Sequence, residues 1–214
     1  MRIEAAQPTT RILSQTWLRC AIACLGLGSA WGIAEATLGQ RLHMLAVPLA
    51  GELMIPIGIG CCLGARRLLP TTGIVTGVGA AAAFVRLFAP GPLLLMPSFA
   101  ILLEAMLMEA CLSLVGDRRR GSFMLTGAIS ALYPLAHGLI AKLLIFSLPL
   151  ATIYAGIVSQ VRLSLRAESL DSGATLAAWI AVCLAVGALS GLAVTAVPSR
   201  RGQDERADGG AAQG

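Results

Sequence analysis

The sequence is poor in charge and in lysine. Asp, Glu, Lys and Arg make up 13% of its 214 residues, and the basic residues are fifteen arginines and one lysine, Lys142. The hydrophobic fraction of 57% and the mean hydropathy of +0.80 are too high for a soluble domain of this length. The net charge of +5 does not indicate a nucleic acid partner, because the arginines cluster between apolar runs. We therefore expect a protein that crosses a lipid bilayer several times.

The sequence also lacks the motifs of ATPases and hydrolases. It has no GxxxxGK[ST] phosphate loop, no GxSxG and no HExxH, and its two histidines are His43 and His137. Nucleophilic and metal-dependent enzymes need such residues. We therefore expect no enzymatic activity, no metal and no cofactor.

The six cysteines lie within apolar runs and form no CxxC motif, so a disulfide framework is not expected. Free cysteine behaves as a small hydrophobic residue, which favours a packing role. Cys20 and Cys24 are four residues apart and share a helix face, which leaves a soft-metal site as the less favoured alternative.

Six apolar segments are long enough to cross a bilayer as helices, which takes about 20 residues each. They are 17–38, 46–65, 71–89, 94–115, 123–148 and 173–197, and glycine or proline lies at or near most of their ends. They predict an all-α, six-helix transmembrane domain over 17–197. A polar N-terminal segment, 1–16, precedes it, and a tail rich in Gly, Ala and charge, 198–214, follows and is expected to be disordered.

The arginines predict the orientation, because cytoplasmic loops carry an excess of Lys and Arg. With the N-terminus in the cytoplasm, eleven of the sixteen basic residues fall on the cytoplasmic side and three on the outer side, and both termini are cytoplasmic. Residues 150–166 could form a seventh span, which would leave ten inside and four outside. We favour an outer interfacial or re-entrant segment, because no turn residue ends the fifth span before Lys142.

Several charged residues fall in the outer half of the predicted spans. At 1.5 Å per residue, Glu104 lies about 10–15 Å from the outer end of the fourth span, and Lys142 about 9 Å from that of the fifth. Charged groups at such depths usually face the bundle interior or water and pair with one another. We therefore predict an outward-opening cavity that binds a small polar or zwitterionic molecule. Its candidate residues are Glu35, Glu52, Arg86, Glu104, Lys142 and, nearer the midplane, His137.

These candidates also have structural explanations. Glu35 and Arg86 are close enough to the interface to snorkel, and Glu52 could lie in a loop. A pair formed by Glu104 and Lys142 could simply join two helices.

Glu104 and Glu109 are five residues apart, so on a regular helix they differ by about 140° and cannot face one small site. This argues against a paired-carboxylate acid/base site. We expect Glu109 to act separately, as a neutral structural or relay group. His137 follows Pro134 and could bind substrate, relay protons or satisfy the carbonyl that the proline leaves free.

The first span contains the segment GLGSAWGIAEATLG, which carries two stripes of small residues. Gly26, Ala30 and Ala34 form one stripe, and Gly28 and Gly32 form the other. Such stripes let helices approach closely in lipid. We assign the glycine stripe, Gly28 and Gly32, to packing within the protein.

The AWGIA segment, the size near 200 residues, the six spans and the cytoplasmic termini resemble the membrane-embedded substrate-binding (S) components of energy-coupling factor transporters. The resemblance implies a substrate-capture subunit of an importer in the bacterial inner membrane. It implies that Ala30 and Ala34, with Gly26 in the same stripe, dock on a transmembrane coupling subunit, and that partner ATPases hydrolyse ATP. It also implies that the loops at 39–47 and 89–96 cap the substrate. The chain has no substrate-specific motif of these families, so the resemblance implies no particular substrate.

Two other functions are considered from the residues. A self-sufficient ion- or proton-coupled carrier would use Glu104, Glu109, His137 and Lys142 as a relay, although the sequence has no evident internal repeat of the kind many carriers show. The other is a structural membrane protein without transport activity.

Overall fold

The computed structural model describes residues 9–45, 50–89, 95–144, 147–165 and 171–197, and within these ranges it contains helices and no strand. The elements are α1 (Thr9–Ala34), a π-helical turn (Glu35–Gly39), α2 (Gln40–Met44), α3 (Ala50–Leu68), α4 (Ile74–Arg86), α5 (Leu95–Val115), α6 (Arg120–Ala131), α7 (Tyr133–Leu144), α8 (Leu150–Leu165) and α9 (Ser172–Val194). The predicted all-α class is confirmed. The predicted tail and most of the N-terminal segment lie outside the described residues.

Four helical stretches among the described residues are long and apolar enough to cross a bilayer. They are Gln15–Leu42, Leu95–Val115, Arg120–Leu144 and Ser172–Val194. They coincide with the first, fourth, fifth and sixth predicted spans, and the length of Arg120–Leu144 agrees with one long fifth segment. The protein is thus a helical chain with four candidate membrane spans.

Helices α3, α4 and α8 lie outside these four candidate spans. The second predicted span is α3, which carries Arg66 and Arg67 in its last turn. The third is α4, whose 13 residues give a helix about 20 Å long, shorter than the hydrocarbon core of a bilayer. The segment predicted to be interfacial or re-entrant forms α8, with 16 residues.

Helices α1 and α4 run parallel in close contact, because glycines on α1 leave room for the α4 backbone. A Cβ on Gly28 would lie 2.5 Å from the carbonyl oxygen of Val78, and one on Gly32 would lie 2.6 Å from that of Ala82. The glycine stripe therefore packs inside the protein, as the sequence predicted.

Helices α6 and α9 form a second glycine-mediated contact, in antiparallel orientation. Gly127 faces the carbonyl of Gly187, and Gly191 faces that of Phe123. A side chain at any of these three glycines would overlap backbone atoms, so the two helices can approach this closely only with glycine.

The arginine-rich end of the bundle is where α3 and α5 end and α4 and α6 begin. Arg67 reaches across it and donates to the carbonyls of Thr195 and Val197, just after α9. Arg118 and Arg119 lie at the same end, between α5 and α6, and Arg120 is the first residue of α6. At the opposite end α4 ends and α5 begins. Fully buried side chains such as Trp31 and Met108 pack between the ends.

Candidate functional site

Glu104 lies on the buried side of α5, nine residues from its first residue, Leu95. At 1.5 Å per residue this is about 13 Å from the opposite end of the bundle. Only 9% of the residue is exposed, and its Oε1 atom is buried without a hydrogen-bond partner among the described residues. Most buried polar atoms in proteins have a hydrogen-bond partner. The Glu104 carboxyl therefore lacks the donor or cation that a buried carboxyl usually has.

Glu35 and Arg86 bring further charge to Glu104. The carboxyl of Glu35 interacts electrostatically with the guanidinium of Arg86 and with the carboxyl of Glu104. Arg86 is the last residue of α4, and its Nη1 is buried without a partner among the described residues. Three of the predicted site residues, from three different helical segments, thus form one charged cluster, which we call the Glu104 cluster.

The π-helical turn positions Glu35 in this cluster. Gly39 is buried opposite the carboxyl, and a Cβ there would lie 3.0 Å from Glu35 Oε2. The glycine therefore leaves room for the side chain to fold against its own helix. Single π-helical turns are frequent at functional sites.

Two aromatic side chains extend the Glu104 cluster. Tyr133, the first residue of α7, interacts electrostatically with Glu104, and its hydroxyl group is buried without a partner in the described part of the chain. The indole N–H of Trp31 interacts electrostatically with Glu35, although no acceptor meets hydrogen-bond geometry. Neither residue was predicted from the sequence. The available signal was an aromatic residue with a polar atom inside an apolar helix.

The cluster combines two carboxyl groups, a guanidinium group, a phenol and an indole. It can donate and accept hydrogen bonds and can match either sign of charge. Such a set suits a small polar molecule, since ligand sites join apolar walls to a few polar groups that orient the ligand.

His137 lies beside the cluster through Tyr133. The two rings are 5.6 Å apart between centroids and are tilted by 32°, as expected for residues four apart on one helix. Glu52 belongs to α3, but its side chain lies outside the described residues, and so does that of His43.

Lys142 lies away from the cluster. It follows Tyr133 by nine residues, which places it about 13 Å along α7 and on the opposite face of that helix. It lines a separate cavity with Gln160 and Trp179. The structure therefore does not bring Lys142 to Glu104, and no ion pair joins the two side chains.

Glu109 was expected to be a neutral structural or relay group, and its contacts are those of a structural residue. Arg66 Nη1 donates to Glu109 Oε1 at 3.1 Å. The backbone N–H groups of Gly73, Val75 and Thr76 donate to the same carboxylate at 2.9, 2.9 and 3.3 Å. Four donors suit a charged carboxylate at a helix N-terminus. Glu109 is thus a structural residue that fixes the start of α4, at a different place from Glu104.

The predicted docking stripe faces outward on α1. Gly26 and Ala30 are exposed and Ala34 is half-buried, and a Cβ on Gly26 would meet nothing within 4 Å.

On a different face of α1, the thiol of Cys20 contacts Thr71 Oγ1 at 3.6 Å. That contact gives this cysteine a packing and bonding role between α1 and the start of α4.

No protein-family model, curated protein sequence or solved structure matches this chain. Its function therefore has to be inferred from its own residues. The feature that calls for an explanation is the group of buried, unpartnered polar atoms around Glu104.

Proposed function

We propose that this protein is the substrate-capture membrane subunit of an importer, and that the Glu104 cluster binds its small polar substrate. The observation that carries the proposal is the buried carboxyl of Glu104, which lacks a hydrogen-bond partner at Oε1 among the described residues. Glu35 and Tyr133 interact electrostatically with it, and Arg86 interacts with Glu35. A buried ionisable group costs stability unless it is paired, and a ligand can supply the missing partner.

A ligand screen by thermal shift on the purified protein tests this site. A substrate should stabilise the wild type by an amount that grows with its concentration, as binding to the folded state requires. Glu104→Gln and Arg86→Met should lose most of that stabilisation. Arg19→Met is the matched control, because it also removes one positive charge but is an exposed residue of α1 outside the cluster. A ligand that stabilises all four proteins equally would exclude the Glu104 cluster as its site.

We propose that the chain crosses the plasma or bacterial inner membrane six times, with both termini and the arginine-rich end in the cytoplasm. The distribution of arginine supports this orientation. Single cysteines can test it in a background that lacks the six native ones. In intact cells an impermeant maleimide should label Ser147→Cys, at the opposite end, and should label Thr72→Cys, at the arginine-rich end, only after the cells are opened. The reverse pattern would contradict the orientation.

Docking on a transmembrane coupling subunit is proposed for the stripe of Gly26, Ala30 and Ala34. The exposure of Gly26 and Ala30 supports it, because small residues on a lipid-facing helix allow another helix to approach closely. ATP hydrolysis would come from partner ATPases, since the chain has no phosphate-binding loop.

A second candidate function is a proton-coupled carrier. It is favoured by the placement of Glu104, Tyr133 and His137, because Tyr133 interacts electrostatically with Glu104 and its ring contacts that of His137. Series of such residues form proton relays in transporters. Substrate-driven proton flux in liposomes that contain this chain alone would favour the carrier, and a requirement for added ATPase subunits would favour the capture subunit.

A further inference from the structure

A small cavity lies between α7, α8 and α9, away from the Glu104 cluster. Its volume is about 80 Å³. Apolar side chains such as Leu135, Leu139 and Ile157 form one part of its wall, and Lys142, Gln160 and Trp179 contribute the polar groups. The cavity does not belong to the proposed substrate site, because Lys142 faces away from Tyr133 on α7.

Three residues of the lining carry polar side-chain groups. Lys142 has an ammonium group, Trp179 an indole N–H and Gln160 an amide. Lys142 is half-buried and forms no ion pair with any carboxylate of the described residues. Trp179 is 7% exposed, and its indole N–H is buried without an acceptor in the described part of the chain. Gln160 can donate through its amide nitrogen. No acidic residue of the described ranges lines the cavity, so none of them balances its positive charge there.

Lysine alone would not indicate a site. Lys142 lies two residues before the end of α7, and a lysine near a helix end can extend its ammonium group to the membrane interface. That behaviour does not explain Trp179, since a buried indole N–H usually finds a partner. An acceptor inside the cavity would satisfy Lys142 directly, and would satisfy the buried indole N–H of Trp179 after a rotation of that ring toward the cavity it lines.

We propose that this cavity binds one anionic oxygen group, a carboxylate or a phosphate, between Lys142, Gln160 and Trp179. The volume of the cavity is large enough for one carboxylate or phosphate group. It exceeds the roughly 10–15 Å³ that one water needs and is well below the roughly 300–1,000 Å³ of pockets that enclose a whole ligand. The cavity therefore takes a small free anion or the anionic group of a larger molecule, such as a lipid phosphate.

Trp179 provides a direct readout. Tryptophan fluorescence of the protein in nanodiscs of zwitterionic lipid is titrated with sodium phosphate, sodium acetate and sodium chloride in separate series. A parallel set of nanodiscs contains increasing fractions of phosphatidylglycerol without added phosphate. The same series on Trp179→Phe identify the part of the signal that comes from the cavity. Lys142→Met removes the cation, and Arg41→Met is the matched control that removes an exposed positive charge from another helix.

The proposal expects a saturable fluorescence change with at least one oxyanion, which Trp179→Phe abolishes. Lys142→Met should weaken the apparent affinity at least about threefold, as expected for loss of a charge-assisted hydrogen bond, and Arg41→Met should leave it unchanged. A response to phosphate or acetate identifies a free-anion site, and a response to phosphatidylglycerol alone identifies a lipid site. The proposal is overturned if none of these series changes the Trp179 signal, or if Lys142→Met and Arg41→Met respond like the wild type. Because none of the variants touches the Glu104 cluster, this outcome is independent of the proposed substrate site.

Discussion

Arg66 on α3 donates to Glu109 on α5 at 3.1 Å, and the same carboxylate holds the first turn of α4. Arg66 also donates from Nε to Asp117 at 3.0 Å and from Nη1 to the carbonyl of Thr71 at 2.6 Å. These contacts connect α3, α4 and α5 with the α3–α4 turn at the arginine-rich end. The two side chains of the central pair are 7% and 11% exposed, so the pair is largely removed from water.

Removing either partner of that pair should destabilise the fold strongly. Arg66→Met removes the cation that pairs with the buried Glu109 carboxylate, and Glu109→Ala leaves the backbone N–H groups of Gly73, Val75 and Thr76 without their acceptor and Arg66 with Asp117 alone. Breaking a buried ion pair in this way typically costs about 3–5 kcal/mol. Asp117→Asn is the matched control, because Asp117 is 21% exposed and should contribute less. The measurement is the denaturation midpoint of the purified protein in one detergent. Equal losses for Glu109→Ala and Asp117→Asn would contradict the role assigned to Glu109.

Glu104 should show the opposite behaviour. Its carboxyl is buried with Oε1 unpartnered, and an unmet buried polar atom costs about 1–3 kcal/mol. Glu104→Leu, a change of similar volume, should therefore raise the unfolding temperature while it abolishes stabilisation by the substrate. Glu104→Gln keeps a polar side chain and should change thermal stability less. A lower unfolding temperature for Glu104→Leu would mean that the carboxyl supports the fold.

The sequence was sufficient for the helical class and for part of the site. The five-residue spacing predicts that Glu104 and Glu109 lie on different sides of one helix, and their surroundings in the structure differ. The role of Glu109 could not be predicted, because its ion-pair partner, Arg66, is 43 residues earlier in the chain. Hydropathy also could not predict the late start of α4. The helix begins only after Gly73, whose φ is +88°, and the Glu109 carboxylate binds the N–H groups of its first turn.

The position of Lys142 shows a limit of depth estimates. Counting residues from the helix end predicts a depth for Lys142 but not the helix face that it occupies. The nine-residue spacing from Tyr133 places it on the other side of α7. That spacing separates Lys142 from the Glu104 cluster only because Tyr133 lies near enough to Glu104 to interact with it electrostatically, and the packing of α5 against α7 that sets this distance cannot be predicted from the sequence.

Two glycines on α1 should respond differently to one added methyl group. Gly32→Ala brings a Cβ within 2.6 Å of the Ala82 carbonyl oxygen and 2.8 Å of Val85, and overpacking of this kind costs about 1–3 kcal/mol. Gly26→Ala meets open space and should be neutral or slightly stabilising, because alanine favours helix more than glycine does. Denaturation midpoints of both variants in the same detergent test this difference. A similar loss at both positions would place α1 and α4 differently from the present packing.

The exposed face of α1 should matter for assembly and not for folding. Ala30→Leu puts a large side chain on the proposed docking stripe, where it should keep a coupling subunit from approaching closely. Ala185→Leu makes the same change at an exposed position of α9 and serves as the control. Both variants should unfold at the wild-type temperature. When the protein is purified from native membranes, ATPase activity should accompany the wild type and Ala185→Leu, and should be lost with Ala30→Leu. If ATPase activity also accompanies Ala30→Leu, the docking surface lies elsewhere.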